Sequence, residues 1–298
     1  MNYIPLGKSS LQISRIGFGC MSLKGSYVEM EKLIHQAIEG GINYFDTADL
    51  YEKGLNEKTV GKAIAQKRSE IIIATKVGNQ WRNDGSGWDW NPTKQYIITA
   101  VEASLKRLQT DYIDLYQLHG GTIHDPIDET IEAFELLKKQ GKIRFYGISS
   151  IRPNVIKEYV SRSNITSVMM QYSLLDRRAE ELVFSLLKEH NIGVLARGTI
   201  ASGLLVDKPA KEYLGYSAKQ VSDTANSVQL ISGESRSAAQ TAIQFALHQP
   251  AIASAIVGIR TIDQLDEALN IFKTPLLSER EIDILGQSIK PDYYTDHR

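Results

Sequence analysis

Short apolar runs alternate with longer stretches of helical period along almost the whole chain. The runs are SRIGFG, INYF, IIIATK, YIDLYQL, RFYGIS, VMMQY, IGVLA and IASAIV. Runs of this length and composition read as buried parallel strands. Between them, KQYIITAVEASLKRL sets Ile98, Val101, Leu105 and Leu108 on one apolar stripe. TIEAFELLKKQGK sets Ile131, Phe134 and Leu137 on one face and ends at Gly141, a residue type that caps helix C-termini. LNEKTVGKAI, AEELVFSLLKEH, SAAQTAIQFALHQ and TIDQLDEALNIF fit the same role. Ahead of the first run, YIPLGKSSLQIS reads as two short strands around a Gly-Lys-Ser-Ser turn, a hairpin suited to closing the bottom of a larger structure.

Eight strands, each followed by a helix, predict an α/β fold of the (β/α)8 barrel type, with residues 1–298 as one domain. A doubly wound sheet would carry a glycine-rich dinucleotide loop after its first strand. The string found there is GFGCMS, with Ser22 in place of the third glycine, which counts against that alternative. Residues 199–235 contain ASG, KPA and SG breaks and read as the longest irregular zone, part of it a candidate lid.

Composition narrows the function. Of 298 residues, 42% are hydrophobic and 23% charged, enough for a full core, and the net charge of -1 provides no field for nucleic acid or an anionic membrane. The one cysteine, Cys20, excludes an internal disulfide and cysteine-rich metal sites, so a reducing compartment fits and no metal is expected. No run is long and apolar enough to span a bilayer, and the N-terminus lacks the apolar core of a signal peptide. A cytoplasmic protein, monomeric or weakly associated, is the expectation.

In a barrel of this kind, strand C-termini converge on one mouth. Asp46 closes INYF, Tyr51 follows in the same loop, Lys76 ends IIIAT and His119 ends YIDLYQL. A buried ammonium needs a counter-ion, and Asp46 on the neighbouring strand supplies one. A cation beside Tyr51 favours the phenolate and so makes the phenol a usable proton donor near neutral pH. His119 is placed to orient a carbonyl oxygen by hydrogen bonding. An isolated Asp–Lys pair or strand-end histidine is usually structural; their joint occurrence on successive strands is what points to a site. Trp81, Trp88 and Trp90 fall in one loop after Lys76, either as an apolar substrate wall or as packing on the barrel rim. Cys20 reads as a small buried residue and Asp114 as part of a buried hydrogen-bond network.

The stretch GINYFDTADLYEKGLNEKTVGKAI closely resembles the signature of the aldo-keto reductases, with Asp46, Tyr51, Glu57 and Gly61 at that family's spacing. IIIATKVG and DYIDLYQLHG resemble the segments holding its lysine and histidine, and GKIRFYGISS, QYSLLDR and IVGIRTIDQLDEA resemble later cofactor segments. The resemblance implies a catalytic tetrad of Asp46, Tyr51, Lys76 and His119, with Tyr51 as general acid. It implies NADPH/NADP+ as cofactor and a small carbonyl compound as substrate. Ser149 and Gln171 would hold the nicotinamide carboxamide, with Ser150 standing where the family usually has Asn. Arg197 stands where an aromatic residue often stacks on the nicotinamide. Gly258, Arg260, Gln264 and Glu267 match the adenosine-phosphate segment, with Ala268 where Asn is common. The physical reading agrees there, because Thr261 is an N-cap candidate and a helix N-terminus beside an arginine attracts a phosphate.

Two other readings stand beside the reductase. One is a cofactor-sensing regulatory subunit on the same fold with weak turnover, which fold alone does not exclude. The other is a Schiff-base aldolase, which needs Lys76 free to be neutral and nucleophilic.

Overall fold

The computed structural model describes residues 1–298 and opens with an antiparallel hairpin of β1 (Tyr3–Pro5) and β2 (Gln12–Ser14). Leu6, Leu11 and Ile13 of this hairpin are buried in one cluster with Tyr44, Leu115, Met169 and Leu195, which fill the barrel interior. The hairpin therefore closes the barrel floor. The fit is close: Gly7 turns with φ +54, and a Cβ at Gly193 would sit 2.8 Å from the Leu6 side chain. Only glycine tolerates both demands.

The barrel strands follow in order: β3 (Ile16–Gly19), β4 (Tyr44–Asp46) and β5 (Ile72–Val77). A second hairpin, β6 (Asn79–Trp81) and β7 (Trp88–Trp90), interrupts the alternation. Then come β8 (Ile113–Leu118), β9 (Ile143–Ser149), β10 (Ser167–Gln171), β11 (Gly193–Arg197) and β12 (Ile252–Val257). All eight barrel strands pair in parallel, and β12 returns to β3 to close the ring. Their apolar character has two causes: inward residues meet the floor cluster, and outward residues join a 68-residue cluster beneath the helices.

The helical layer contains α1 (Tyr27–Glu39), α2 (Leu55–Ile64), α3 (Lys94–Leu108), α4 (Ile127–Lys139), α5 (Pro153–Arg162) and α6 (Val183–Glu189). It continues with α7 (Ala218–Ser232), α8 (Ala238–His248), α9 (Ile262–Leu269) and α10 (Glu279–Gln287). On α3 the buried stripe runs through Ile97, Val101, Leu105 and Leu108, with Ile98 at its margin.

The irregular zone expected over 199–235 is shorter than its composition indicated. Helix α7 occupies its second half, started by a reciprocal capping box between Ser217 and Gln220. Its sequence, AKQVSDTANSVQLIS, hides the helix because few positions are apolar. Only Val221, Thr224, Val228 and Ser232 are buried. The cause is position: α7 packs outside α8, which is buried from Ala238 to Leu247 because it lies between α7 and β12. No helix is long and apolar enough to cross a membrane.

Candidate active site

The ends of β4, β5 and β8, three neighbours in the barrel, bring Asp46, Lys76 and His119 together. Lys76 is 1% exposed and uses its ammonium fully. Nζ donates to Asp46 Oδ2 at 2.5 Å, to the Thr47 carbonyl at 2.8 Å and to the Tyr51 hydroxyl at 3.3 Å. The other carboxylate oxygen of Asp46 accepts from Gln117 Nε2 at 3.3 Å. Burial alone would lower the Lys76 value; the Asp46 carboxylate and the Tyr51 hydroxyl outweigh it and hold the ammonium above the ordinary lysine value. Lys76 is therefore held in its charged form.

His119 stands edge-on to Tyr51, with ring centroids 5.8 Å apart and planes at 83°. Burial, with Lys76 and Arg197 nearby, pushes its value down to about 3. The ring is neutral at physiological pH, and its buried Nδ1 has no partner in the protein. Asp49, two residues before Tyr51, has its carboxyl pushed up to about 8 by burial and by Glu57, so near neutral pH it adds little negative charge beside Lys76.

The loop presenting Tyr51 is conformationally costly. Glu52 and Lys53 have φ of 50° and 56°, and Gly54 continues at 83°. Left-handed non-glycine residues cost of order 1–3 kcal/mol each and persist where the surroundings hold them. Here the Asp49 amide donates to the Lys76 carbonyl at 3.3 Å and Trp81 Nε1 donates to the Leu50 carbonyl at 3.2 Å. Glu57, fully buried, accepts from Thr75 Oγ1 and from Arg107, both at 2.6 Å. Glu57 thus ties α2 to the residue preceding Lys76.

Tyr51, Lys76 and His119 open into a cleft of about 570 Å³. Ser149, Ser150, Met169 and Arg197 line it from the ends of β9, β10 and β11. Trp88 lines it from the start of β7, and Leu50, Ile151 and Arg152 line it from loops. Gln171 lies beside this group: its Oε1 accepts from Arg197 at 3.3 Å and its Nε2 donates to the Tyr213 hydroxyl at 2.9 Å. Ser150 Oγ accepts from the Arg152 amide at 3.1 Å, so this hydroxyl shapes the turn. Gly258, Arg260, Gln264 and Glu267 form a separate corner, at the end of β12 and the start of α9, outside the cleft lining. There Thr261 caps α9 by accepting from the Gln264 amide at 3.2 Å, and Gln264 Oε1 accepts from the Arg260 amide at 2.9 Å. A Cβ at Gly258 would meet the Ser22 hydroxyl, which packs against this glycine from the turn after β3.

The family model of the aldo/keto reductases matches residues 15–290. The chain belongs to the aldo/keto reductase family. It is 51% identical over 302 residues to the uncharacterized oxidoreductase YqkF of Bacillus subtilis, with 98% of each chain covered. It also resembles the aldo-keto reductase AKR11C1 of Bacillus halodurans: TM-score 0.94 and 48% identity to the holo form, covering 100% of this chain and 99% of that one. Against the apo form of the same protein the TM-score is 0.87, at 46% identity and the same coverage. This aldo/keto reductase is accordingly an NADPH-dependent oxidoreductase. Its residues fit the cofactor on their own terms. The Arg260 guanidinium and the capped start of α9 offer cationic and N–H donors at one end, and His119 and Arg197 offer polar groups in the cleft at the other.

Of the three tryptophans, Trp88 reaches the cleft, Trp81 clamps the Tyr51 loop, and Trp90 donates to the Asp125 carboxylate at 3.0 Å. Trp81 and Trp90 thus pack the rim, and Trp88 alone of the three faces the cleft. Asp114 accepts from the Ile73 amide at 3.0 Å and pairs with Arg68 and Arg144, a staple between strands. Cys20 is fully buried, and burial pushes its thiol far up. Sequence reasoning missed Gln117 and Arg152. Gln117 was visible as a polar residue inside the apolar run YIDLYQL; Arg152 before Pro153 gave no local signal.

Proposed function

We propose that this chain, acting as one domain over residues 1–298, reduces aldehydes or ketones to alcohols, with Tyr51 as the general acid. The observation that supports this most is the shared ammonium: Lys76 Nζ lies 2.5 Å from Asp46 Oδ2 and 3.3 Å from the Tyr51 hydroxyl. NADPH, when bound, supplies the hydride to the carbonyl carbon. The oxygen of that carbonyl gains negative charge and needs a proton. Tyr51 gives it, and Lys76 stabilises the charge left on the phenolic oxygen. Asp46 keeps Lys76 charged, and Gln117 holds Asp46. His119, neutral and edge-on to Tyr51, has a ring donor to offer the carbonyl oxygen, which orients it without competing as an acid.

The same pairing disfavours imine chemistry. A Schiff-base lysine must lose its proton, and the surroundings of Lys76 push the other way. We assign Ser149, Ser150, Gln171 and Arg197 to the nicotinamide end of the cofactor. Gly258, Arg260, Gln264 and Glu267 take the adenosine-phosphate end, where the Arg260 fork and the capped N-terminus of α9 suit a 2′-phosphate.

The test is a panel of aldehydes and ketones with NADPH and NADH, followed at the reduced nicotinamide band, on wild type and Tyr51→Phe. Wild type should turn over carbonyl compounds with NADPH. Tyr51→Phe should bind NADPH and lose roughly 10²–10⁴-fold in rate. Activity within twofold of wild type would remove Tyr51 from the role.

A further inference from the structure

Two guanidinium groups in the cleft have no carboxylate to neutralise them: Arg152 and Arg197. Other arginines of the barrel are paired with carboxylates, as Arg68 with Asp114, Arg107 with Glu57 and Arg178 with Asp176. No Asp or Glu lines the cleft, and Lys76 is already matched by Asp46. The cleft is therefore positive beyond what its catalytic pair requires.

The two arginines have different places. Arg197 ends β11 next to Gln171, among the residues assigned above to the nicotinamide. Arg152 follows Ser149 and Ser150 and leans over the loop after β8, where one Nη donates to the Gly121 carbonyl, two residues beyond His119. Its Nε and second Nη make no hydrogen bond within the protein, leaving two donors for an external acceptor. Two adjacent N–H groups of a guanidinium match the two oxygens of a carboxylate. Apolar side chains stand among the polar ones that line the cleft. Trp88 and Met21 line the same cleft and are 47% and 65% exposed, which gives an apolar or aromatic ligand body surface to rest on.

We propose that Arg152 anchors an anionic group of the substrate, so that the aldehydes reduced best carry a carboxylate at the far end of an apolar or aromatic body. This rests on the reductase reading above. The aldehyde end lies against Tyr51 and His119, the body against Trp88, and the carboxylate on the free fork of Arg152. The apolar side chains take up the middle, while the charge fixes the direction of entry and leaves the carbonyl at the Tyr51 end.

Two substrates of nearly equal shape test this: 4-carboxybenzaldehyde and its neutral ester, methyl 4-formylbenzoate. The readout is the ratio of their kcat/KM values with NADPH. Wild type should favour the acid by about tenfold or more, chiefly through KM, the scale of a charged hydrogen bond. Arg152→Ala should bring the ratio close to one, and Arg152→Lys should restore part of it, since charge returns without the fork. In wild type, high salt should lower the ratio, a reading that needs no variant. A wild-type preference for the ester, a ratio indifferent to salt, or the same ratio in Arg152→Ala would overturn the assignment while leaving the reductase reading intact. Failure of both aldehydes and of the wider carbonyl panel to be reduced would instead overturn the reductase reading, and this inference with it.

Discussion

Lys76 and Arg260 are both cations at the C-terminal end of the barrel, but their circumstances are opposite. Lys76 is 1% exposed and meets three acceptors supplied by the protein. Arg260 is exposed, and its guanidinium meets none; only its backbone amide is bonded, to Gln264. The first charge is set at folding and cannot relax when the reaction develops charge beside it, which is what preorganised electrostatics requires. In the proposed function the second receives an anion from outside. In the proposed function the charge satisfied internally serves chemistry and the charge left free serves binding. Arg152, with a half-used guanidinium in the cleft, belongs with Arg260 in this division.

The comparison is broken most severely by removing Lys76. Lys76→Met should lose roughly 10²–10⁴-fold in kcat, because the phenolic oxygen loses its neighbouring charge. It also strands Asp46 in a buried site, so a lower melting temperature should accompany the loss. Asp46→Asn should be milder in stability and still slow. Full turnover by Lys76→Met, measured at saturating NADPH, would disconnect the ammonium from the acid.

Arg260→Ala should weaken NADPH by about one to two decades, the size of a hydrogen bond to a charged group, and leave NADH nearly unchanged. Raising salt on the wild type should mimic it. Fluorescence titration of both cofactors reads this directly; equal weakening of the two would place Arg260 on the shared part of the cofactor.

A smaller effect comes from His119. Its folded value of about 3 lies below the unfolded value of about 6.5. Between those limits the unfolded chain binds a proton that the folded one refuses, so stability is lost as pH falls from about 6.5 towards 3. In His119→Asn the melting temperature should fall less steeply over that window. An unchanged slope would mean that His119 titrates normally in the fold.

Trp81→Phe should have the least effect, about a few-fold in rate and about 1 kcal/mol in stability. It removes one hydrogen bond to the Leu50 carbonyl and leaves the rest of the clamp on the Tyr51 loop. A loss as large as that of Lys76→Met would show that this single bond holds the left-handed turn at Glu52 and Lys53.

The barrel was legible because its strands are buried on both faces and stand out as apolar runs between polar segments. The clustering of Asp46, Lys76 and His119 was legible for the related reason that an ionisable residue closing such a run is hard to explain by packing. What escaped notice did so for physical reasons. Helix α7 lies on the outside of α8 and needs only four buried positions, so its stripe is faint. The β6–β7 hairpin has strands of three residues, too short for alternation to register. Glu57 was visible only as part of a spacing; that it binds Thr75 and Arg107 depends on residues 18 and 50 positions away. Arg152 acquires meaning only from the missing carboxylates around it, which is a property of the assembled cleft.

The division between internal and external charge is tested most directly by one crossed measurement: kcat, and the affinities for NADPH and NADH, in wild type, Lys76→Met and Arg260→Ala. The account predicts that Lys76→Met loses rate with both cofactors and keeps their affinity ratio, whereas Arg260→Ala keeps rate at saturating cofactor and loses the ratio. If Lys76→Met changed the preference for NADPH, or Arg260→Ala slowed the saturated enzyme as much as it weakened binding, the two charges would not be separate devices and the account would be wrong.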